Sequence, residues 1–140
     1  MPAKQPFSFF QRVRYAETDA MGVVWHGNYL QWFEVGRVET LRAIGYPYVR
    51  LESEGFGLPV IEVGLRYARA ARFDDPLKID VWLSELKSRK FRIAYRISHA
   101  ESGEEFVTGF SEHLCWRNGV VCTLPAELRE KLQPLVGNGL

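Results

Sequence analysis

Asn28-Tyr29-Leu30-Gln31-Trp32-Phe33-Glu34-Val35-Gly36-Arg37-Val38-Glu39-Thr40-Leu41-Arg42-Ala43-Ile44 is the stretch on which the fold turns. Stepped at about 100° per residue, Tyr29, Leu30, Trp32, Phe33, Gly36, Leu41, Ala43 and Ile44 gather on an arc of roughly 180°. Gln31, Glu34, Glu39 and Arg42 take the opposite side. The pattern predicts one long helix with an unusually wide apolar face. Asn28 is the expected N-cap and Gly45 the expected C′ residue. Gly36, near the middle of the arc, costs about 1 kcal/mol against alanine. That is understandable if another backbone must pass close by. Arg37 falls inside the same arc and needs a partner, or a route for its head group to water.

On either side of this helix the period drops to two. Phe7, Phe9, Gln11, Val13 and Tyr15 alternate with Ser8, Phe10, Arg12 and Arg14, which predicts a strand over 7–15. Residues 46–56 are mixed, with room for one short helical turn. Strands follow through Ile61–Tyr67, Leu77–Ser84, Phe91–Ser98 and Phe106–Leu114, joined by polar turns such as Phe73-Asp74-Asp75-Pro76 and Glu101-Ser102-Gly103-Glu104. Arg117-Asn118-Gly119 is a tight turn with a short return through Val120–Cys122. Pro125, expected at N1, opens a last helix reaching Leu132. The order is strand, long helix, then antiparallel strands. It predicts an α+β layout in which one curved antiparallel sheet curls around the long helix. The other sheet face carries Arg66, Lys78, Asp80, Arg92 and Arg96 and is expected to meet water or a wet subunit contact. Open sheet edges invite pairing with a second copy.

The chain has 140 residues, 46% apolar and 25% charged, which suits a single soluble domain over 1–140. Its 18 Lys and Arg stand against 17 Asp and Glu. A chain so near neutrality has no overall field to draw in nucleic acid. No apolar run approaches the ~18 residues of a membrane span. No secretory leader is expected from the reading of the first residues. Two cysteines, Cys115 and Cys122, suit a reduced, cytoplasmic protein. Nineteen aromatic residues exceed what a small core easily hides, so some are expected at a pocket or a subunit interface.

The richest chemistry lies in Tyr15-Ala16-Glu17-Thr18-Asp19-Ala20-Met21-Gly22-Val23-Val24-Trp25-His26-Gly27, a loop feeding the helix start. Free N–H groups and the positive dipole end collect there and can hold a developing oxyanion. Asp19, seven residues before His26, could face that helix end. It could attack an activated acyl carbon or take a proton from water; spacing does not choose. The bland reading of Asp19 is an Asx turn or a cap. His26 reads as acid, base or substrate contact, or simply as a packed histidine. Glu17 reads as a solvated loop charge, and Tyr29 and Trp32 read as core. His113 and Cys115 share a strand face, but no third group orients them as a nucleophile pair. The scattered His and Cys lack metal-ligand spacing. Arg89, Lys90 and Arg92 form a basic corner suited to phosphate, or merely a solvated turn.

Taken together, Tyr15-x-x-Thr18-Asp19-x-x-Gly22-Val23-Val24-x-His26-x-Asn28-Tyr29, followed by Trp32-Phe33-Glu34 and Arg37, resembles the 4-hydroxybenzoyl-CoA thioesterase family. It is most similar to the YbgC-like acyl-CoA thioesterases of that family. Tyr67-Ala68-Arg69-Ala70-Ala71-Arg72-Phe73-Asp74-Asp75-Pro76-Leu77 matches more weakly, with Ala70 where many relatives have proline. The resemblance implies a hotdog fold, assembled as dimers and usually as a homotetramer. It implies hydrolysis of an acyl-CoA thioester without metal or cofactor. Asp19 matches the catalytic aspartate, and His26 the position whose backbone N–H polarises the thioester carbonyl. Tyr15 is counted with the active site. Trp25, Tyr29, Tyr15 and Phe33 are the expected acyl-pocket walls, and Arg89 and Lys90 fall near where some members hold the CoA phosphates. Two other readings stand beside this one: an acyl-ligand binding protein that does not turn its ligand over, and a thioesterase acting on acyl carrier protein.

Overall fold

In the computed structural model, which describes residues 6–137, the expected change of period from two to 3.6 and back is realised as strand, helix and strand. The first residues, where no leader is read, lie outside the described ones. The elements are β1 (Phe7–Arg12), α1 (Asn28–Ala43), α2 (Tyr48–Ser53), β2 (Phe56–Gly57), β3 (Val60–Tyr67), β4 (Pro76–Leu86), β5 (Lys90–His99), β6 (Glu105–Leu114), β7 (Trp116–Arg117), β8 (Val120–Val121) and α3 (Ala126–Leu132). The main sheet is antiparallel in the order β1-β4-β5-β6-β3, and β2-β7-β8 form a small second sheet. Register shifts at Leu83/Glu85, Ile97/Ser98 and Val60/Glu62 interrupt the ladders. Such bulges bend a sheet and sharpen its twist.

The 16-residue α1 buries Tyr29, Trp32, Phe33, Gly36, Thr40 and Leu41 and lies mainly over β1, β4 and β5. The β3 edge therefore stays open, with Val60, Ile61, Val63 and Tyr67 exposed. Gly36 does allow a close approach, but of side chains: an added Cβ would sit 2.7 Å from Val81 Cγ2 and 3.2 Å from Ile79 Cγ2. The outer sheet face is polar as expected. Lys78 and Arg96 lie 3.7 and 3.6 Å from the buried Asp80 carboxylate, and Lys90 and Arg92 lie 3.0 and 3.2 Å from Glu112.

Several local expectations are corrected. β1 stops at Arg12, so Tyr15 is not a strand residue; Tyr15–Glu17 form a 3-10 turn. The cause is Glu17, which is buried rather than solvated and whose carboxylate accepts the Arg14 N–H at 2.6 Å. Asn28 is not the N-cap. Gly27 holds that place, and the Asn28 amide donates instead to the Glu17 carbonyl at 2.7 Å. Pro125 precedes α3 as its N-cap rather than opening it at N1. Gly45 does end α1 with a positive φ of 87°, and Asn118 and Gly119 both turn with positive φ.

Beneath β3 a polar chain runs through the core. His113 Nδ1 lies 3.1 Å from the Leu58 carbonyl, Ser111 Oγ lies 2.7 Å from His113 Nε2, and Tyr95 Oη lies 2.7 Å from Ser111 Oγ. A carbonyl can only accept, so Nδ1 carries the proton, Nε2 accepts from Ser111 and Ser111 accepts from Tyr95. Burial and then the nearby Arg37 cation hold the His113 imidazole down to about 4, from 6.5. The unfolded chain takes up a proton that the folded chain refuses. This stabilisation is whole above pH 6.5 and is lost as the pH falls toward 4, by about 3 kcal/mol. Urea midpoints of the wild type should drop across that window, and His113→Gln should flatten the drop. Cys115 cannot serve as a nucleophile beside His113. Burial and Cys122 push its thiol up to about 12, and its Sγ faces Cys122 Sγ at 3.7 Å.

Candidate active site

The loop between β1 and α1 is fastened at both ends. Thr18 bridges to Val24, the Asp19 N–H donates to the Val23 carbonyl at 2.8 Å, and the Gly22 N–H returns to the Asp19 carbonyl at 3.0 Å. Gly22 takes a φ of 81°, which favours glycine. Asp19 stands at the first corner. Its Oδ1 accepts the Met21 N–H at 2.9 Å, so the Asx turn is real. Oδ2 has no hydrogen-bond partner among the described residues. One oxygen is structural and the other is available.

The start of α1 is held just as firmly. The Trp25 carbonyl accepts the Asn28 N–H at 2.9 Å. That carbonyl shares a planar peptide unit with the His26 N–H, which therefore points away from the turn in a fixed direction. The His26 carbonyl accepts the Tyr67 hydroxyl at 2.9 Å, which fixes the next peptide and the Gly27 N–H with it. Trp25 N–H and the Asn28 side chain both bind the Glu17 carbonyl. On the other side the Tyr29 hydroxyl accepts the Ala71 N–H at 3.1 Å, and the Val24 N–H donates to the Ala71 carbonyl at 2.9 Å. Burial raises the Tyr29 phenol above its ordinary value. Donors at a helix start that are fixed in advance cost no reorganisation when charge develops on a bound group.

Asp19 and His26 line one open cleft of about 390 Å³ with Val23, Tyr29, Tyr67 and Ala68. The sequence-predicted residues divide around it. Tyr29 is a wall. Tyr15 is not: its ring is largely exposed and packs edge-on against Phe73 at 5.6 Å. Trp25 sits behind the helix start, its ring over Gly27 and 5.0 Å from the His26 ring. Phe33 is buried, stacked on Tyr95 at 4.1 Å, and opens into a neighbouring depression.

Arg89 and Lys90 are not at this cleft. Lys90 is paired with Leu114, beside the Val60 end of β3, whereas Tyr67 is the last residue of that strand. Seven residues of extended chain separate the two ends by roughly 20 Å. Lys90 is also bound to Glu112 at 3.0 Å. Tyr67 is the residue that the sequence reading missed. It heads the weaker of the two quoted segments, and only the tertiary contact with His26 reveals its work. Among the described residues no three His, Cys, Asp or Glu side chains converge as metal ligands, and no helix is long and apolar enough to cross a membrane.

Comparison with known proteins points the same way. The model of the thioesterase-like superfamily matches residues 13–132. The chain is 30% identical over 123 residues to the acyl-CoA thioester hydrolase YbgC of Escherichia coli O6:H1, covering 88% of this chain and 86% of that one. It is 37% identical over 92 residues to the acyl-CoA thioesterase YbgC of Haemophilus influenzae, covering 65% and 68%. The crystal structure of a hypothetical protein from Thermus thermophilus superposes with a TM-score of 0.88 at 37% identity, covering 91% of this chain and 98% of that one.

Proposed function

The chain belongs to the thioesterase-like superfamily and is a YbgC-like thioester hydrolase; from that premise we propose that it hydrolyses acyl-CoA to a carboxylic acid and free CoA at the Asp19–His26 cleft. The observation that carries this reading is a half-free carboxylate sharing one cleft with a peptide N–H oriented in advance. The His26 N–H, at the positive end of α1, takes the oxygen of the thioester carbonyl. The free Asp19 oxygen either attacks the carbonyl carbon, giving a mixed anhydride that water opens, or takes the proton from an attacking water. Thiolate leaves readily, so the reaction needs no strong acid and, in this reading, no metal or cofactor. A free-thiol release assay over short, long and aromatic acyl-CoAs, run with and without chelator, tests it. Turnover of none of them, or turnover that chelator abolishes, defeats it.

The reading includes the assembly. The sheet wraps α1 in a hotdog arrangement, and the exposed β3 edge pairs antiparallel with that of a second copy. Antiparallel pairing lays the Val60 end of one β3 beside the Tyr67 end of the other. The Arg89–Lys90 corner of one copy then approaches the cleft of its partner, where it meets the CoA phosphates. A tetramer forms by contact between two such dimers, in the cytoplasm. Arg89→Ala should raise KM several-fold for CoA esters and leave pantetheine esters unchanged. An equal shift for both would remove Arg89 from nucleotide binding.

A further inference from the structure

We propose that Arg37 receives a carboxylate at the far end of the acyl groove, so that the substrates include thioesters of medium-length α,ω-dicarboxylic acids. This rests on the acyl-CoA reading above and adds the class of acyl group.

The groove follows from the geometry of α1. Leu30, Phe33 and Arg37 are spaced i, i+3 and i+7 and so follow one face of α1, whose N-cap Gly27 comes directly after His26. On the strand side, Tyr67 borders the cleft, and Val63 and Val60 follow toward the other end of β3. Beside the Asp19–His26 cleft, along this same helix face and strand, lies a depression of about 360 Å³ lined by Leu30, Phe33, Val60, Val63 and Arg37, with Glu34 at the side. It exists because α1 lies over β1, β4 and β5 and leaves its flank toward β3 unfilled. Apart from Ser111 and the flanking Glu34, its walls are apolar until Arg37.

Among the described residues Arg37 has no counter-ion. It joins none of the ion pairs formed among the described residues, whereas Arg50, Arg92 and Arg96 all have carboxylates at 3.6 Å or closer. Its Nε is buried and has no hydrogen-bond partner among the described residues. Its two polar neighbours in the core, Tyr95 and His113, are neutral. Tyr95 gives its hydroxyl proton to Ser111 and turns its oxygen to the guanidinium. His113 is uncharged above about pH 4. Glu34 lines the same depression but makes no ion pair with Arg37 or any other cation of the described residues. A half-buried guanidinium with neutral neighbours in the core and no carboxylate within ion-pair distance among the described residues, at the end of a mainly apolar depression, is matched by an incoming anion that can accept two N–H bonds. A carboxylate does this; a methyl terminus would leave the cation unpaired beneath bound lipid, which is costly.

The length follows too. Arg37 lies eleven residues after His26. At 1.5 Å rise that is roughly 16 Å; a side chain leaning toward the helix N-terminus recovers about 6 Å and leaves roughly 10 Å for the acyl chain. A chain of the length of octanedioate spans it.

The test separates binding from turnover. Non-hydrolysable thioether analogues of octanedioyl-CoA and octanoyl-CoA are titrated calorimetrically into wild type, Arg37→Met and Arg37→Lys. Wild type should prefer the octanedioyl analogue, Arg37→Met should weaken it by roughly tenfold to a hundredfold, and the octanoyl analogue should hold steady. Arg37→Lys, which keeps the charge, should restore part of the loss and stands in if Arg37→Met misfolds. Equal affinity of wild type for the two analogues, or an equal loss of both in Arg37→Met, overturns the proposal. So does a shift of Arg37→Met to monomer with both analogues weakened, which would assign Arg37 to a carboxylate of a second copy. Hydrolysis of the matching thioesters is measured alongside. Selective binding without hydrolysis would preserve the Arg37 site and defeat the esterase reading. Hydrolysis without selective binding would do the reverse.

Discussion

Asp19→Asn is expected to lower thioester hydrolysis by roughly 10²–10⁴-fold, the range that a positioned base or its loss commands, while the protein folds as before. The second half of this expectation comes from the loop. What Asp19 gives the fold is one acceptor, Oδ1, for the Met21 N–H. An asparagine carbonyl oxygen accepts that bond equally well. What it gives the chemistry is the other oxygen, which in asparagine becomes an NH₂ donor with neither nucleophilicity nor basicity. Far-UV circular dichroism and the melting temperature should therefore match wild type as free-thiol release collapses. His26→Ala is the informative comparison. If the main-chain N–H carries the work of His26, alanine retains it, since the Trp25–Asn28 and His26–Tyr67 bonds that orient those peptides involve no imidazole atom. The loss should then be much smaller than for Asp19→Asn. Equal rates for wild type and Asp19→Asn would sink the assignment, and a larger loss in His26→Ala would move the chemistry to the imidazole.

Gly109→Ala is expected to cost about 2–3 kcal/mol by overpacking and to lower the melting temperature by about 10 °C. Gly109 lies in β6 opposite Leu65 and Tyr95. A Cβ there would come within 2.3 Å of the Gly64 carbonyl oxygen and 2.9 Å of the Phe33 ring. Neither neighbour yields easily. The first is backbone of the neighbouring strand, and the second is clamped flat on Tyr95. The strain should push β3 outward, so a melt and a KM measurement are both informative. Gly103→Ala makes a control. It is strained by a φ of 78° but meets nothing within 4 Å, so its loss should be smaller and should leave KM untouched. Melts of the Gly109 and Gly103 variants that coincide would refute the close-approach account.

Much of this protein was legible in its linear order. The wide apolar arc of 28–44, the two-residue alternation after Gly57 and the turn chemistry of Asn118-Gly119 and Gly45 all report local periodicity and backbone freedom. These are properties that neighbouring residues carry among themselves. They sufficed for the α+β layout, for a polar outer face and for the placing of Asp19 and His26 on a loop that enters a helix. The contacts that shape the site were decided otherwise. Glu17 reads as a solvated charge until the Arg14 N–H closes on it, Tyr67 reads as an ordinary strand residue until its hydroxyl reaches His26, and Arg89 and Lys90 read as neighbours of the site until the strand register carries them to the far end of the sheet. The Glu17 contact closes across only three residues, whereas the placing of Tyr67 and of Arg89 and Lys90 depends on pairings between segments distant along the chain. Such pairings are selected by how the whole sheet folds over α1, a collective packing solution that no single stretch of residues encodes.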